Sequence, residues 1–340
     1  MTWASNERIK SINILVNGVD ATSEPANLFV NGLHQVELTV NATFENGSTP
    51  SSDEMYEAIQ LLDYNTGGSL NVLETSKTKG SYCNVYNPSE TSDSAIATMA
   101  SADNLYTATY YVDSSTTKNP GNQNETVSLS FTIPGGEDSS FWAGGEGEFE
   151  VQANIQCWPE KKYKIDDIAL NRQSSSGFTF HYQGTGGDTY DNGGFSVYHM
   201  IINNDYYNFH DVSAQEDTQF VDDVCIGITG TENTSPLWNE WSNIYDFTHS
   251  QGMGAKSYYM SVYLYETASG VNVWGYYDGT VNQASGEYIF ASSNASFETS
   301  DWDDNLLTSD VNYDANDQFG NHALIVISVK TGGPNLNTVG

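Results

Sequence analysis

Residues 31–44 read Asn31-Gly-Leu-His-Gln-Val-Glu-Leu-Thr-Val-Asn-Ala-Thr-Phe44. Val36, Leu38, Val40, Ala42 and Phe44 share one parity, and Gln35, Glu37, Thr39, Asn41 and Thr43 share the other. Successive side chains of a strand point to opposite faces, so this alternation marks a strand with one buried and one wet face. His34 falls on the inward parity and is expected at the margin of a core. Residues 126–133, TVSLSFTI, repeat the pattern, with Val127, Leu129, Phe131 and Ile133 inward.

The same period of two runs through SINILVN, LYTATYYVD, EFEVQANIQCW, GFTFHYQ, FSVYHMII, SYYMSVYLYE, VNVWGYY and EYIFASS. HALIVISVK is apolar on both parities and reads as a central strand. Clusters of Gly, Asn, Asp and Ser separate these runs as turns. Helix signals are few. Ser51 to Glu54 has the spacing of a capping box and predicts one or two turns over DEMYEAI, and SDSAIATMASAD (92–103) is a second short candidate. The fold class is therefore all-β, with two antiparallel β-sandwich domains and little helix. WPEKKYKIDDIALNRQSSSG holds Pro159, three clustered lysines (Lys161, Lys162, Lys164) and a Ser run ending at Gly177. It sets the expected division: a domain over 1–160, a linker over 161–176 and a second domain over 177–340.

The first domain resembles the bacterial Ig-like domains of adhesins and invasins. Asn31-Gly32, the alternating strand from Gln35 to Phe44, and Asn46-Gly47 followed by Pro50 match the order of turn, long strand and turn in that family, and GEGEFEVQANI resembles its closing strand. The resemblance implies a β-sandwich used for display or adhesion. The second half resembles no family in this way.

The chain has 340 residues and a formal net charge of −33, from 44 acids against 11 bases. Nucleic-acid binding needs cations to displace counterions from phosphates, and the only arginines are Arg8 and Arg172, so that class of partner is excluded. Anionic membrane surfaces are disfavoured on the same ground. No run of 18 apolar residues gives a membrane span, and MTWASNERIKSINILVNG has neither the apolar core nor the cleavage site of a signal peptide. The setting expected is extracellular or on the surface of a bacterial or phage particle. Cys83, Cys157 and Cys225 are odd in number, so at least one is unpaired.

Three stretches carry candidate function. In SDVNYDANDQFGN, Asp310, Asn312, Asp314 and Asn316 alternate, Asp317 adds a further oxygen, and Gly320 follows. Alternating oxygens in a tight loop suit calcium, which takes six to eight oxygen ligands. Ala315 and Asn321 stand where an EF-hand has Gly and Glu, and the competing reading is an Asn/Asp-rich turn that caps its own backbone. Asp301, Asp303 and Asp304 of DWDDN lie close enough in sequence to complete a shell. FSVYHMIINNDYYNFHDV reads as a hairpin turning at Asn203-Asn204-Asp205, which would bring His199 near His210 and Asp211.

The second stretch is the hairpin SYYMSVYLYE with VNVWGYY. Tyr263, Tyr265, Trp274 and Tyr276 form an aromatic face of the kind on which neutral polysaccharides stack and which protein interfaces favour. An ordinary inter-sheet core, or cross-strand aromatic pairs that stabilise the sheet, is the competing reading. The third is LYTATYYVDSSTTKNPGNQNETVSLSFTI, an amphipathic Ser/Thr-rich hairpin such as pore-forming toxins insert. No nucleophile elbow, H-E-x-x-H, C-x-x-C or P-loop occurs, so no catalytic residue is assigned. The functional expectation is a non-catalytic protein that binds a surface or assembles with itself, through sheet edges and tyrosine faces. Calcium is the one cofactor considered. A pore-forming toxin and a carbohydrate-binding lectin are the alternatives.

Overall fold

Residues 35–44 form one ten-residue strand whose inward set, Val36 to Phe44, is buried as the alternation requires. Around it, the computed structural model describes residues 2–20, 25–87, 105–114, 123–136, 139–145, 147, 149–173, 179–184, 193–214, 225–234, 237–246, 254–266, 272–298, 310–328 and 334–340. Over 139–140, 179–184, 193–195, 214, 225–234, 237–246, 254–266, 272–283 and 291–298 the description is of the backbone. The chain divides into two units, Met1–Lys161 with Phe319–Asn321, and Lys162–Gln318 with His322–Gly340. The predicted helix over 92–103 and the acids of DWDDN lie outside the described residues.

In the first unit the strands are β1 (Ile9–Val16), β2 (Val19–Asp20), β3 (Ala26–Phe29), β4 (Gln35–Phe44), β5 (Ile59–Asp63), β6 (Leu73–Ser76), β7 (Tyr106–Ser114), β8 (Glu125–Phe131), β9 (Ser139–Ser140) and β10 (Ala153–Trp158). One sheet runs in the order β2-β1-β4-β7-β6, the other in the order β3-β10-β8-β5, with β9 on β8. Among the described strands every pairing is antiparallel except β3 with β10, which is parallel. Ile12 and Ile14, Val36 to Ala42, and Ala108 to Val112 come from the first sheet, and Leu28, Val127 to Phe131 and Ile155 from the second. All join one apolar cluster. The helix α1 (Ser52–Ala58) carries the expected capping box: Glu54 N–H donates to the Ser51 hydroxyl, and Ser51 N–H donates to the Glu54 carboxylate at 2.8 Å.

Irregular segments of this unit are held by buried side chains that stand in for strand partners. Glu125 is 4% exposed, and its carboxylate accepts N–H bonds from Asn71 (2.5 Å), Val72 (3.0 Å) and Leu73 (3.1 Å). Glu7 is fully buried. It accepts from the backbone of Arg8, Asn46 and Ser48 and from the Ser48 hydroxyl. Burial works to raise the Glu7 pKa, and these donors outweigh it and hold it below the ordinary carboxylate value. His34 sits deeper than the margin expected of it, at 0% exposure. Its Nδ1 accepts from Phe29 N–H at 2.9 Å and its Nε2–H donates to the Asn84 carbonyl at 2.8 Å, which fixes the neutral tautomer. Phe319, also fully buried, lies against the rings of Phe29, His34 and Tyr86 at centroid distances of 5.6, 5.3 and 5.4 Å. Gly320 has φ +75°, and a Cβ there would stand 2.7 Å from Leu33 Cβ, so both its backbone and its surroundings demand glycine.

In the second unit a 3₁₀ turn (Ile165–Asp167) leads into β11 (Ile168–Gln173), followed by β12 (Thr179–Gly184), β13 (Gly193–Ile202), β14 (Phe209–Ala214), β15 (Cys225–Thr234), β16 (Leu237–Asp246), β17 (Gly254–Glu266), β18 (Asn272–Gln283), β19 (Tyr288–Glu298), β20 (Asp310–Asp317), β21 (His322–Ser328) and β22 (Asn335–Val339). They form sheets in the orders β11-β13-β19-β16-β15, β12-β18-β17 and β14-β20-β21-β22. The expected linker over 161–176 is strand in part: Ile168–Gln173 pairs residue by residue with β13, and Ile168 and Leu170, two apart, turn to the apolar side of that sheet. The core here is aromatic. Tyr198 stacks on Phe290 at 5.4 Å, and Tyr313 meets Tyr288 at 5.2 Å. HALIVISVK supplies β21, an interior strand as expected, but its faces differ, with Ala323, Ile325 and Ile327 buried and Leu324 36% exposed.

Two outcomes follow for stability. Glu125→Ala should cost about 3–5 kcal/mol, because it leaves the buried N–H groups of Val72 and Leu73 and the part-buried one of Asn71 without an acceptor, whereas Glu125→Gln should cost about 1–2 kcal/mol. Urea midpoints of the two variants check the order. Burial, set against the Asn84 hydrogen bond, lowers the His34 pKa from 6.5 to about 4. The unfolded chain therefore takes up a proton, as pH falls below about 6.5, that the folded chain refuses until about pH 4. Stability should fall by about 3 kcal/mol across that window, with no His34 contribution above it. Urea melts from pH 7 to pH 4, with the His34 ¹⁵N shifts read in parallel, measure both the loss and its source.

Candidate functional site

The alternation of Asp310, Asn312, Asp314 and Asn316 is that of a strand. These residues lie on β20, where Val311, Tyr313, Ala315 and Asp317 are buried and the four oxygen-bearing residues occupy the opposite face. Along a strand, side chains two apart sit about 6.5–7 Å from one another, so this row extends over about 20 Å. Calcium holds its oxygens at about 2.3–2.6 Å, and a straight row cannot wrap one ion. The expected loop, and the competing capped turn, are both corrected to a strand. The turn comes later, at Gly320. Asp310 accepts from Ser328 Oγ at 2.6 Å, and Asp314 Oδ1 lies 3.3 Å from His322 Nε2. Asp317 points the other way and accepts from the Tyr163 hydroxyl at 2.6 Å, in a buried contact whose desolvation and negative charge push the Tyr163 phenol upward. Among the described residues no group of three His, Cys, Asp or Glu side chains converges on a metal position.

Two expected hairpins are also absent. His199 and His210 do not face each other, because β13 pairs with β11 and β19 while β14 pairs with β20 in another sheet. His199 instead bridges Glu287 (Nδ1 to Oε2, 2.9 Å) and Gln173 (Nε2 to Oε1, 3.2 Å). The Ser/Thr-rich segment from 105 to 133 is likewise no hairpin. β7 pairs with β4 and β6, and β8 pairs with β5, β9 and β10. The sequence cannot distinguish two strands that pair with each other from two that enter different sheets.

The aromatic hairpin forms. β17 and β18 are antiparallel over nearly their whole length, with Tyr263 opposite Trp274 and Ser261 opposite Tyr276. Residues directly opposite share a face, and so do residues two apart. Tyr259, Tyr263, Trp274 and Tyr276 therefore occupy one face by register, with His181 and Gln183 of β12 opposite Tyr276 and Trp274. Tyr265 does not join them. A register shift between Tyr263 and Tyr265 sets Tyr265 against Val273, which transfers it to the other face. That second face carries Tyr258, Met260, Val262 and Tyr277, with Gly275 in register between Val262 and Tyr182.

Position in the sheet supplies what the sequence reading missed. β18 is paired on both sides, whereas β17, among the described residues, is paired on one side only. β17 runs for 13 residues, about 43 Å at the ordinary strand rise. Natural sheets blunt such edges with proline, charge or brevity. β17 has no proline, and its nine residues from Ser257 to Tyr265, SYYMSVYLY, carry no charge. Its protective features stand near its ends: the register shift between Tyr263 and Tyr265, and the charges of Lys256 and Glu266. The signal was legible in part: the two charges of the strand, Lys256 and Glu266, stand at its ends.

Comparison with known proteins adds no family to this geometry. No protein-family model matches the chain, and no curated protein matches it.

Proposed function

We propose that the protein is a non-catalytic binding or self-assembling protein, and that the open edge of β17 makes the contact. The observation that carries this reading is the 13-residue strand that, among the described residues, is paired on one side only and is uncharged over its middle nine residues. The outer N–H and C=O groups of such an edge are a template for an added strand, and β-augmentation draws affinity from main-chain hydrogen bonds. The net charge of −33 keeps separate molecules soluble, so an edge that would aggregate in a neutral protein is tolerable here.

In an edge strand the N–H groups of neighbouring residues point alternately toward the partner strand and away from the sheet. Of Ser261→Pro and Val262→Pro, one therefore breaks a bond to β18, and the other blocks only the outer edge. Light scattering after size exclusion should show the unaltered protein above monomer mass, and the outer-edge proline variant at monomer mass with its far-UV spectrum kept. A strictly monomeric protein at the highest soluble concentration would overturn the reading. So would assembly that survives both prolines.

A second reading rests on the face rather than the edge. Tyr263 opposite Trp274, with Tyr276 two residues on and Gln183 and His181 alongside, combines aromatic stacking surface with hydrogen-bonding groups, as neutral glycan recognition requires. It expects retention of the protein on a polysaccharide column and a loss of at least tenfold in affinity on Trp274→Ala, with Tyr265→Ala near neutral because Tyr265 lies on the other face.

A further inference from the structure

Independently of the β17 edge, we infer that Asn46 is a site of spontaneous deamidation, and that the change loosens the clasp holding residues 2–8 on the first unit. Asn-Gly pairs stand at 17–18, 31–32, 46–47 and 192–193, and Asn192 lies outside the described residues. The pair is the most reactive setting for asparagine, because glycine has no side chain to hinder its own amide nitrogen and its backbone turns freely. Gly47 N attacks Asn46 Cγ. The N–Cγ bond forms, the Cγ–Nδ2 bond breaks, and ammonia leaves with the hydrogen of the Gly47 N–H. Water then opens the cyclic imide at either carbonyl, which yields aspartate in an ordinary or a β-linked backbone. Water is the sole co-reactant.

The structure separates the three described pairs. At 31–32 every reacting group is engaged. Asn31 Oδ1 accepts from Leu33 N–H at 3.0 Å and from His34 N–H at 2.8 Å, its Nδ2 donates to the Phe319 carbonyl at 2.9 Å, and Gly32 N–H donates to Ser114 Oγ at 3.0 Å. At 17–18 the pair is the tight turn between β1 and β2, with φ +49° at Asn17 and +81° at Gly18. There Asn17 Oδ1 accepts from Glu37 N–H at 3.1 Å, and Asn17 N–H donates to the Glu37 carbonyl at 2.8 Å. At 46–47 both residues are exposed, and nothing lies within 4 Å of where a Gly47 Cβ would stand. Among the described residues Gly47 N–H makes no hydrogen bond, and the Asn46 amide makes one, from Nδ2 to the Asn6 carbonyl at 2.8 Å.

The same turn is half of a clasp. Glu7 accepts from the backbone N–H of Asn46 at 2.7 Å, from that of Ser48 at 2.9 Å and from the Ser48 hydroxyl. Ala4 N–H donates to Ser48 Oγ at 2.8 Å, and Thr49 N–H donates to the Thr2 carbonyl at 2.9 Å. Behind these bonds Trp3 meets Phe44 and Phe131 edge-on, at 5.2 and 6.3 Å. Deamidation replaces the Nδ2 donor by a carboxylate oxygen, so that acceptor faces acceptor at the Asn6 carbonyl. It also brings a second negative charge near the buried Glu7 carboxylate, which disfavours the ionised form that collects the donors. The β-linked product adds a carbon to the backbone and displaces the N–H groups that Glu7 binds.

Ageing the full chain at mildly alkaline pH, followed by peptide mass mapping, tests the site. Asn46 should convert roughly tenfold faster than Asn17 and Asn31, whose amides must first break hydrogen bonds to reach the glycine nitrogen. Asn46→Gln should remove the conversion at that position, since its longer side chain closes a ring far more slowly. Hydrogen exchange tests the consequence. The Ala4 and Thr49 amides should exchange roughly tenfold faster in Asn46→Asp, and in the aged chain, than in the fresh chain. In Asn46→Gln, ageing should leave both rates where they start. Conversion at Asn17 or Asn31 that keeps pace with Asn46 overturns the site. Conversion at Asn46 with unchanged exchange at Ala4 and Thr49 overturns its effect on the clasp.

Discussion

Every strand has two edges of backbone N–H and C=O groups, and each group must find a partner or face water. That constraint governs this chain more than any single contact does, because so little of it is helix. The first unit meets it with two sheets whose strands are paired from β2 to β6 and from β3 to β5. The ends of those sheets are short. β2 has two residues, and β3 and β6 have four each. Short edges offer few groups to an intruding strand. β17, at 13 residues, is built on the opposite plan.

Where a segment is not strand, the same demand is met by buried carboxylates. Glu125 gathers three consecutive N–H groups, and Glu7 gathers three more and a hydroxyl. An ionised carboxylate accepts at about four lone-pair sites, so one side chain can serve a turn that would otherwise need a neighbouring strand. Each of these acids also buries a charge, and only the full set of donors offsets that cost. His34 follows a related logic with the opposite preference, since its two ring nitrogens are matched to one donor and one acceptor and the neutral ring fits both. Acid thus acts on this unit through residues whose role is structural.

The alternation in residues 35–44 made the fold class legible, because parity is a local property and one buried face forces it. The capping box at Ser51 was legible for the same reason: all its parts lie within four residues. Pairing is not local and was legible only in part: β17 and β18 form the hairpin read from the sequence, but two others do not form. β7 and β8 look like the arms of one hairpin, and β13 and β14 like those of another, yet in both cases the two strands enter different sheets. Parity itself misled at β20. Oxygen-bearing residues at every second position describe a calcium loop and the wet side of a strand equally well, and the buried Val311, Tyr313 and Ala315 between them decide for the strand. Tyr265 was misplaced because one register shift reverses every parity beyond it.

Charge limits what an open edge can become. Two chains of −33 repel at long range, and each further copy adds to the repulsion, whereas the gain from one paired edge stays fixed. The balance therefore favours small closed assemblies over filaments. Salt shifts it, because a Debye length of about 8 Å at physiological ionic strength screens the long-range repulsion while hydrogen bonds between adjacent strands lie well inside it. β17 suits that balance. Its central nine residues add no charge to the contact, and its terminal Lys256 and Glu266 sum to zero. The strand is thus a neutral seam in an acidic molecule, and strand pairing there adds nothing to the repulsion that keeps the rest of the surfaces apart.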